Sequence, residues 1–148
     1  MRRPVEIREI RPDDLHDVFV LGRELISRQD GRTLLPSWNE TNLSGVLSED
    51  TTRSFVAVRK KSIQGFLIAR IDTAATAEIL WTGSQGPDAV RVSEDLYRAF
   101  FESLPAAISS IRVAVPGSNI ELIDFFGKFG FTDSEHVVIM ENFFRKKT

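Results

Sequence analysis

Hydrophobic and polar positions follow two periods along this chain, and the changes of period mark its elements. In "VEIREIR" (5–11), Val5 and Ile7 fall on one face and Glu6, Arg8 and Ile10 on the other, a strand with charged edges that Pro12 stops. Asp13 and Asp14 then open a helix carrying Leu15, Val18, Phe19, Leu25 and Ile26 at helical spacing. "SWNE" (37–40) has the Ser-x-x-Glu form of a capping box, and the apolar stripe Leu43, Val46 and Leu47 follows. "SFVAV" (54–58) and "IQGFLIARI" (63–71) flank a short charged turn and predict a hairpin; "TAEILW" (76–81) adds a third consecutive strand. Val92, Leu96, Phe100 and Leu104 recur at every fourth place and predict a long helix that Pro105 ends. "IRVAV" (111–115) reads as a buried strand, a short helix follows it, and "HVVIMENF" (136–143) reads as a further strand. The order β-α-α-β-β-β-α-β-α-β-β calls for a central mixed sheet with helices on both faces.

The chain has 148 residues, of which 42% are apolar and 27% charged, ordinary values for one folded domain with a real core. No repeat or linker-like tract divides it, so residues 1–148 are expected to form a single domain. A net charge of −2 and a pI near 5.7 do not suggest a general nucleic-acid or membrane binder. Arg59-Lys60-Lys61 and Arg145-Lys146-Lys147 read as a hairpin turn and a solvated tail. With no Cys, a disulfide, a thiolate metal site and a Cys nucleophile are excluded, which suits the cytoplasm. "MRRPVEIREI" has positive charge but no apolar segment behind it, so no secretory signal is expected. The two His, His16 and His136, lie far apart and read as surface residues, not metal ligands.

"VPGSNIELIDFFGKFGFT" (115–132) carries the most specific pattern. Asn119 is a good helix N-cap. Leu122, Phe125, Phe126 and Phe129 form one greasy face. Gly130 supplies the left-handed residue that ends the helix.

This stretch and the element order resemble the GNAT superfamily of N-acetyltransferases. Asn119, Phe125-Phe126 and Gly130-Phe131 stand where that family has Asn, Phe-Tyr and Gly-Phe, with Leu122 in place of an Ala. Gly65 sits where the family often has a mid-strand Gly. The resemblance covers nearly the whole chain in element order, and in sequence only about residues 111 to 131. It implies a mixed, mostly antiparallel sheet of about seven strands with about four helices. It also implies an N-acyltransferase that moves an acetyl or similar group from a coenzyme A thioester, acetyl-CoA, to a primary amine. The acceptor would be a small molecule or a peptide, with no nucleic acid or membrane partner and with a homodimer left open.

The resemblance places the site. Glu78 matches a strand Glu that activates the amine through water; its other reading is a solvated residue paired with Arg70 or Arg112. Strict alternation would put Glu78, Leu80 and Thr82 on one face. The main chain of Leu80, Trp81 and Thr82 would hold the pantetheine arm, with Asn119 contacting it from the next helix cap. Phe126 stands where a family Tyr points its hydroxyl at the thioester, so a general acid worth about 10²–10⁴-fold in rate is missing there. Tyr97, the only Tyr, is either a substitute or a half-buried packing residue.

The phosphate loop departs most. Asp88 replaces Gln/Arg, Arg91 replaces the first Gly, and Ser93 stands at a Gly/Ala place. Arg91 and Ser93 would take the phosphates. Glu94 and Asp95 are expected in the first helical turn, where like charges about 4 Å from a pyrophosphate cost about 1–4 kcal/mol. A second reading is therefore a GNAT-fold binding or regulatory module that has lost acetyl-CoA. In the first reading, residues 27–38, "SRQDGRTLLPSW", form the acceptor wall, and Trp38 and Trp81 line a groove or belong to the core.

Overall fold

The structure is a computed structural model, and it describes residues 4–28 and 32–133. Its elements are β1 (Glu6–Glu9), a 3-10 turn (Pro12–Asp14), α1 (Leu15–Ser27), α2 (Glu40–Leu47), β2 (Thr52–Arg59) and β3 (Ser62–Ile71). β4 (Thr76–Ser84), α3 (Ala89–Ser103), β5 (Ser110–Val113) and α4 (Ile120–Gly127) follow. Among the described residues the sheet has five strands in the order β1-β2-β3-β4-β5. The first three junctions are antiparallel and β4 pairs with β5 in parallel. The mixed, mostly antiparallel sheet is the expected one. Five of the about seven expected strands lie among the described residues, and the strand read over 136–143, with His136, lies outside them.

Two apolar clusters sandwich the sheet. On one face Val92, Leu96, Tyr97 and Phe100 of α3 and Leu122 and Phe126 of α4 pack on Phe55, Leu67, Ala69, Ala77 and Ile79. On the other face Val18, Leu21 and Leu25 of α1 and Leu43 of α2 pack on Val56, Phe66, Ile68 and Trp81. Phe66 and Phe100 are fully buried, each contributing roughly 2–3 kcal/mol from apolar burial. Along α1, Leu21 joins the buried face while Ile26 stays 46% exposed, so the helix turns slightly away from the expected stripe.

Local chemistry fixes the ends. Arg8 grips Asp14 with two bonds of 2.7 and 2.9 Å, and the Arg11 amide donates to the same carboxylate at 2.7 Å. These bonds, with the Arg8 charge, hold the Asp14 carboxyl below its usual range despite burial. The cap of α2 is Asn39, which accepts from the Asn42 amide, not the expected Ser37. Ser37 instead takes a left-handed turn (φ 54°), which points the chain into the helix. The β2–β3 hairpin turns through Lys60 and Lys61, both left-handed (φ 50° and 64°), as a two-residue turn requires.

Candidate active site

β4 is the strand on which the site is built, and its two halves differ. Thr76, Ala77, Glu78 and Ile79 pair with β5 on one side and, from Ala77 on, with β3 on the other. β5 then ends at Val113 while β4 runs on to Ser84, so the two strands part beyond Ile79. At the parting point the β3–β4 register shifts: Ala69 faces Ile79 but Ile68 faces Trp81. Leu80 is thus an extra, bulged residue outside both ladders. The bulge breaks the expected alternation. Glu78 faces α1 and α2 with its partner Arg70, whereas Thr82 pairs with Leu67 and shares the α3 face.

The gap therefore opens beside Leu80–Ser84 and not beside Glu78, whose register partner in β5 is Arg112. Glu78 is 27% exposed and lies 3.9 Å from the Arg70 guanidinium.

The segment before α2 enters this gap. Leu34 and Thr82 exchange both main-chain bonds, at 2.9 and 3.0 Å. The Leu34 side chain is 4% exposed and joins the α3/α4 cluster. Farther along, the Trp81 indole donates to the Pro36 carbonyl at 2.8 Å. Trp38 stacks between Phe19 and Phe66, in space that a Cβ on Gly22 would fill at 2.3 Å. Before Leu34, Arg32 meets Glu121 of α4 at 3.3 Å, an exposed pair. Both tryptophans thus belong to the core and anchor this segment.

At the far end of β4, Gly86 (φ 93°) and Pro87 turn the chain into α3. Its N-cap, Asp88, makes no side-chain cap bond. It is held instead by Arg59, at 2.6 Å, from the end of β2. This ion pair offsets the negative charge of Asp88, the residue that replaces Gln/Arg in the loop. Arg91, in the first turn, is exposed. Ser93 bonds Ser84 at 2.8 Å. The Ser84 hydroxyl stands where a Cβ on Gly65 would come within 2.5 Å, so the mid-strand glycine makes room for this link. Glu94 and Asp95 do not lie in the first turn. The tight turn at Gly86–Pro87 starts the helix earlier than the motif spacing implied, which carries both acids into the second turn. There they pair with Arg98 at 3.7 and 3.6 Å.

Asn119 caps α4 by accepting from the Leu122 amide at 3.1 Å. Gly130 is left-handed (φ 91°), and the Phe131 and Gly130 amides close the helix on Phe126 and Gly127. Phe126 is 3% exposed and meets Phe125 and Phe131 edge-on or tilted. Tyr97 lies farther along α3 against Phe129, with ring centroids 4.3 Å apart, and burial pushes its phenol pKa up. A cavity of about 590 Å³ beside it is lined by Phe101, Leu104, Ile108, Ile111 and Phe131 among others. His16 is exposed on α1. Among the described residues no group of three or more His, Cys, Asp or Glu could hold a metal ion, and no helix is long and apolar enough to cross a membrane.

No family model and no curated protein matches the sequence. Solved structures do match. The chain superimposes on AAC(6')-Iy, in complex with a bisubstrate CoA analogue, with a TM-score of 0.73 at 18% identity, over 99% of this chain and 100% of that one. It matches the ribosomal-protein-S18-alanine N-acetyltransferase from Escherichia coli (TM-score 0.71, 16% identity, 88% and 79% of the two chains). It also matches Ard1 from Thermoplasma volcanium (TM-score 0.71, 22% identity, 88% and 84%). The chain has the GNAT acetyltransferase fold.

Within the GNAT fold of this chain, β4 brings together the Leu80–Thr82 main chain and, through its loop, Arg91. Asn119 and Phe126 come from α4 on the α3 side, and Glu78 looks out from the opposite face. The sequence reading missed the bulge, the Leu34 pairing and the Arg59 clamp. Arg59 was visible as the first residue of a basic hairpin, and Leu34 as part of the apolar run "TLLP" in an otherwise polar loop.

Proposed function

We propose that this chain is a GNAT-type N-acetyltransferase: a single domain that moves an acetyl or similar acyl group from a coenzyme A thioester to a primary amine. The observation that carries the reading is the parting of β4 from β5 at a bulge, below a helix start whose acid is clamped by an arginine. A parted strand edge offers main-chain donors and acceptors to an amide-bearing arm. A helix N-terminus flanked by Arg91 suits a pyrophosphate. The acids that would have opposed it face Arg98 instead.

The chemistry assigned to the chain's own groups is modest. The main chain of Leu80, Trp81 and Thr82 aligns the thioester. Glu78 takes a proton from the acceptor ammonium through water. The amine nitrogen then bonds the acyl carbon, the carbon–sulfur bond breaks with its electron pair going to sulfur, and the second amine proton passes through water to the departing thiolate. Phe126 offers no proton, so rate comes mainly from proximity and orientation. Arg91 and Ser93 take phosphates, Ser93 by exchanging its bond to Ser84. Asn119 contacts the arm from the α4 cap. Proteins sharing this fold include one solved with a CoA-derived bisubstrate analogue, which supports the thioester as donor. The absence of cysteine suits a cytoplasmic setting.

Calorimetry with acetyl-CoA, followed by acyl-transfer assays on small and peptide amines, tests the proposal. Binding with turnover of at least one amine is expected. No heat and no thermal shift at millimolar cofactor would remove it. The second reading, a GNAT-fold module without cofactor, has one observation in its favour: Leu34 occupies both main-chain groups of Thr82.

A further inference from the structure

Leu34 holds the main-chain groups of Thr82 that the proposed function gives to the pantetheine arm. On the open half of β4, the amide and carbonyl of Thr82 point into the gap, and both are bonded to Leu34. The Leu34 side chain fills the space behind them against the α3/α4 cluster. We propose that residues 32–35 form an autoinhibitory strap, a segment of the chain that mimics the thioester arm and must leave before that arm can enter. This rests on the acyltransferase reading and adds its regulation.

Three features suit a strap that opens without unfolding its surroundings. Its downstream end is tethered independently, by the Trp81 indole on Pro36 and by Trp38 in the Gly22 notch, so residues 32–35 can swing about Pro36 while α2 stays docked. One upstream contact, Arg32 with Glu121, is an ion pair exposed on both sides, a kind that is weak in water. Its closed form is imperfect, because the Thr33 hydroxyl is buried with no hydrogen-bond partner. When the strap leaves, the arm inherits the bonds to Thr82, and the Leu34 amide and carbonyl pass to water. Affinity for the cofactor is then lowered by the fraction of molecules with the strap closed.

Because the chain has no cysteine, the strap can be locked cleanly. Leu34 and Thr82 form a hydrogen-bonded antiparallel pair, whose Cα atoms lie about 5.5 Å apart, within reach of a disulfide. In the double variant Leu34→Cys, Thr82→Cys, whatever the substitutions themselves cost, the oxidised protein is expected to bind CoA at least about tenfold more weakly than the same protein reduced. Equal binding by both forms would overturn the strap. Amide hydrogen exchange on the natural chain checks it without substitution. The Leu34 amide should be protected in the free protein and lose protection at saturating CoA, whereas the Thr82 amide should stay protected. A Leu34 amide equally protected with CoA bound would also overturn the strap, and would leave the acyltransferase reading intact. Should neither the natural chain nor the reduced variant bind CoA, the acyltransferase reading itself falls and the strap is plain architecture.

Discussion

The two halves of β4 are one strand by sequence and two environments by structure. From Thr76 to Ile79 the strand is paired with β5 and seals the sheet. From Trp81 to Ser84 it keeps β3 on one side, while the other is met by the Leu34 bridge. The sequence does not mark the parting point, since the strand reading "TAEILW" (76–81) runs straight across it. The difference is made by one extra residue in the ladder and by where β5 stops. An open edge can thus be built on a core strand by ending its neighbour early, and a single bridging residue can then cover it.

Substitutions can test that contrast. The largest effect is expected from Ile79→Ala in the closed half, where the side chain is 2% exposed; unfolding free energy should fall by about 2–5 kcal/mol. Leu80→Ala, one residue on and only partly buried, should cost less than about half as much; equal losses in denaturant melts would mean the open half is ordinary core. Glu78→Gln should lower kcat about 10²-fold with little change in the KM for acyl-CoA, as measured by steady-state kinetics. Asp14→Asn, far from either half, should cost about 1.5–3 kcal/mol at neutral pH and leave CoA binding alone. Asp14 has a lowered folded pKa, so its contribution is complete above the ordinary carboxylate pKa. It fades as pH falls through the still lower folded value, and melts at decreasing pH should show that loss vanish from Asp14→Asn. Arg59→Ala should weaken CoA binding about tenfold by uncovering the charge of Asp88, and Asp88→Asn in that background should restore most of it.

What the sequence disclosed follows from the range of the interactions. The α4 cap at Asn119, the left-handed Gly130 and the buried Leu122 and Phe126 are local, and their spacing made them legible. The strands were found but cut short at "TAEILW", because the small residues Thr82, Gly83 and Ser84 resemble a turn until α3 and β3 bury them. The Asn39 cap was misread because Ser37 offers the same chemistry two residues earlier, and only backbone geometry decides between them. The site suffered most. A one-residue bulge leaves no mark in an apolar run, and the pairs Leu34–Thr82 and Arg59–Asp88 join residues distant in sequence. The net effect of Asp88 could not be judged from neighbours along the chain, because its counter-ion arrives from another strand.

One small defect sets how tightly the open half is covered. The Thr33 hydroxyl, stranded without an acceptor or donor, penalises the closed arrangement by the cost of drying a polar group. A near-isosteric Thr33→Val exchange removes that cost and should leave the protein better folded and the segment harder to open. If so, a single oxygen atom is where this protein trades rigidity for readiness.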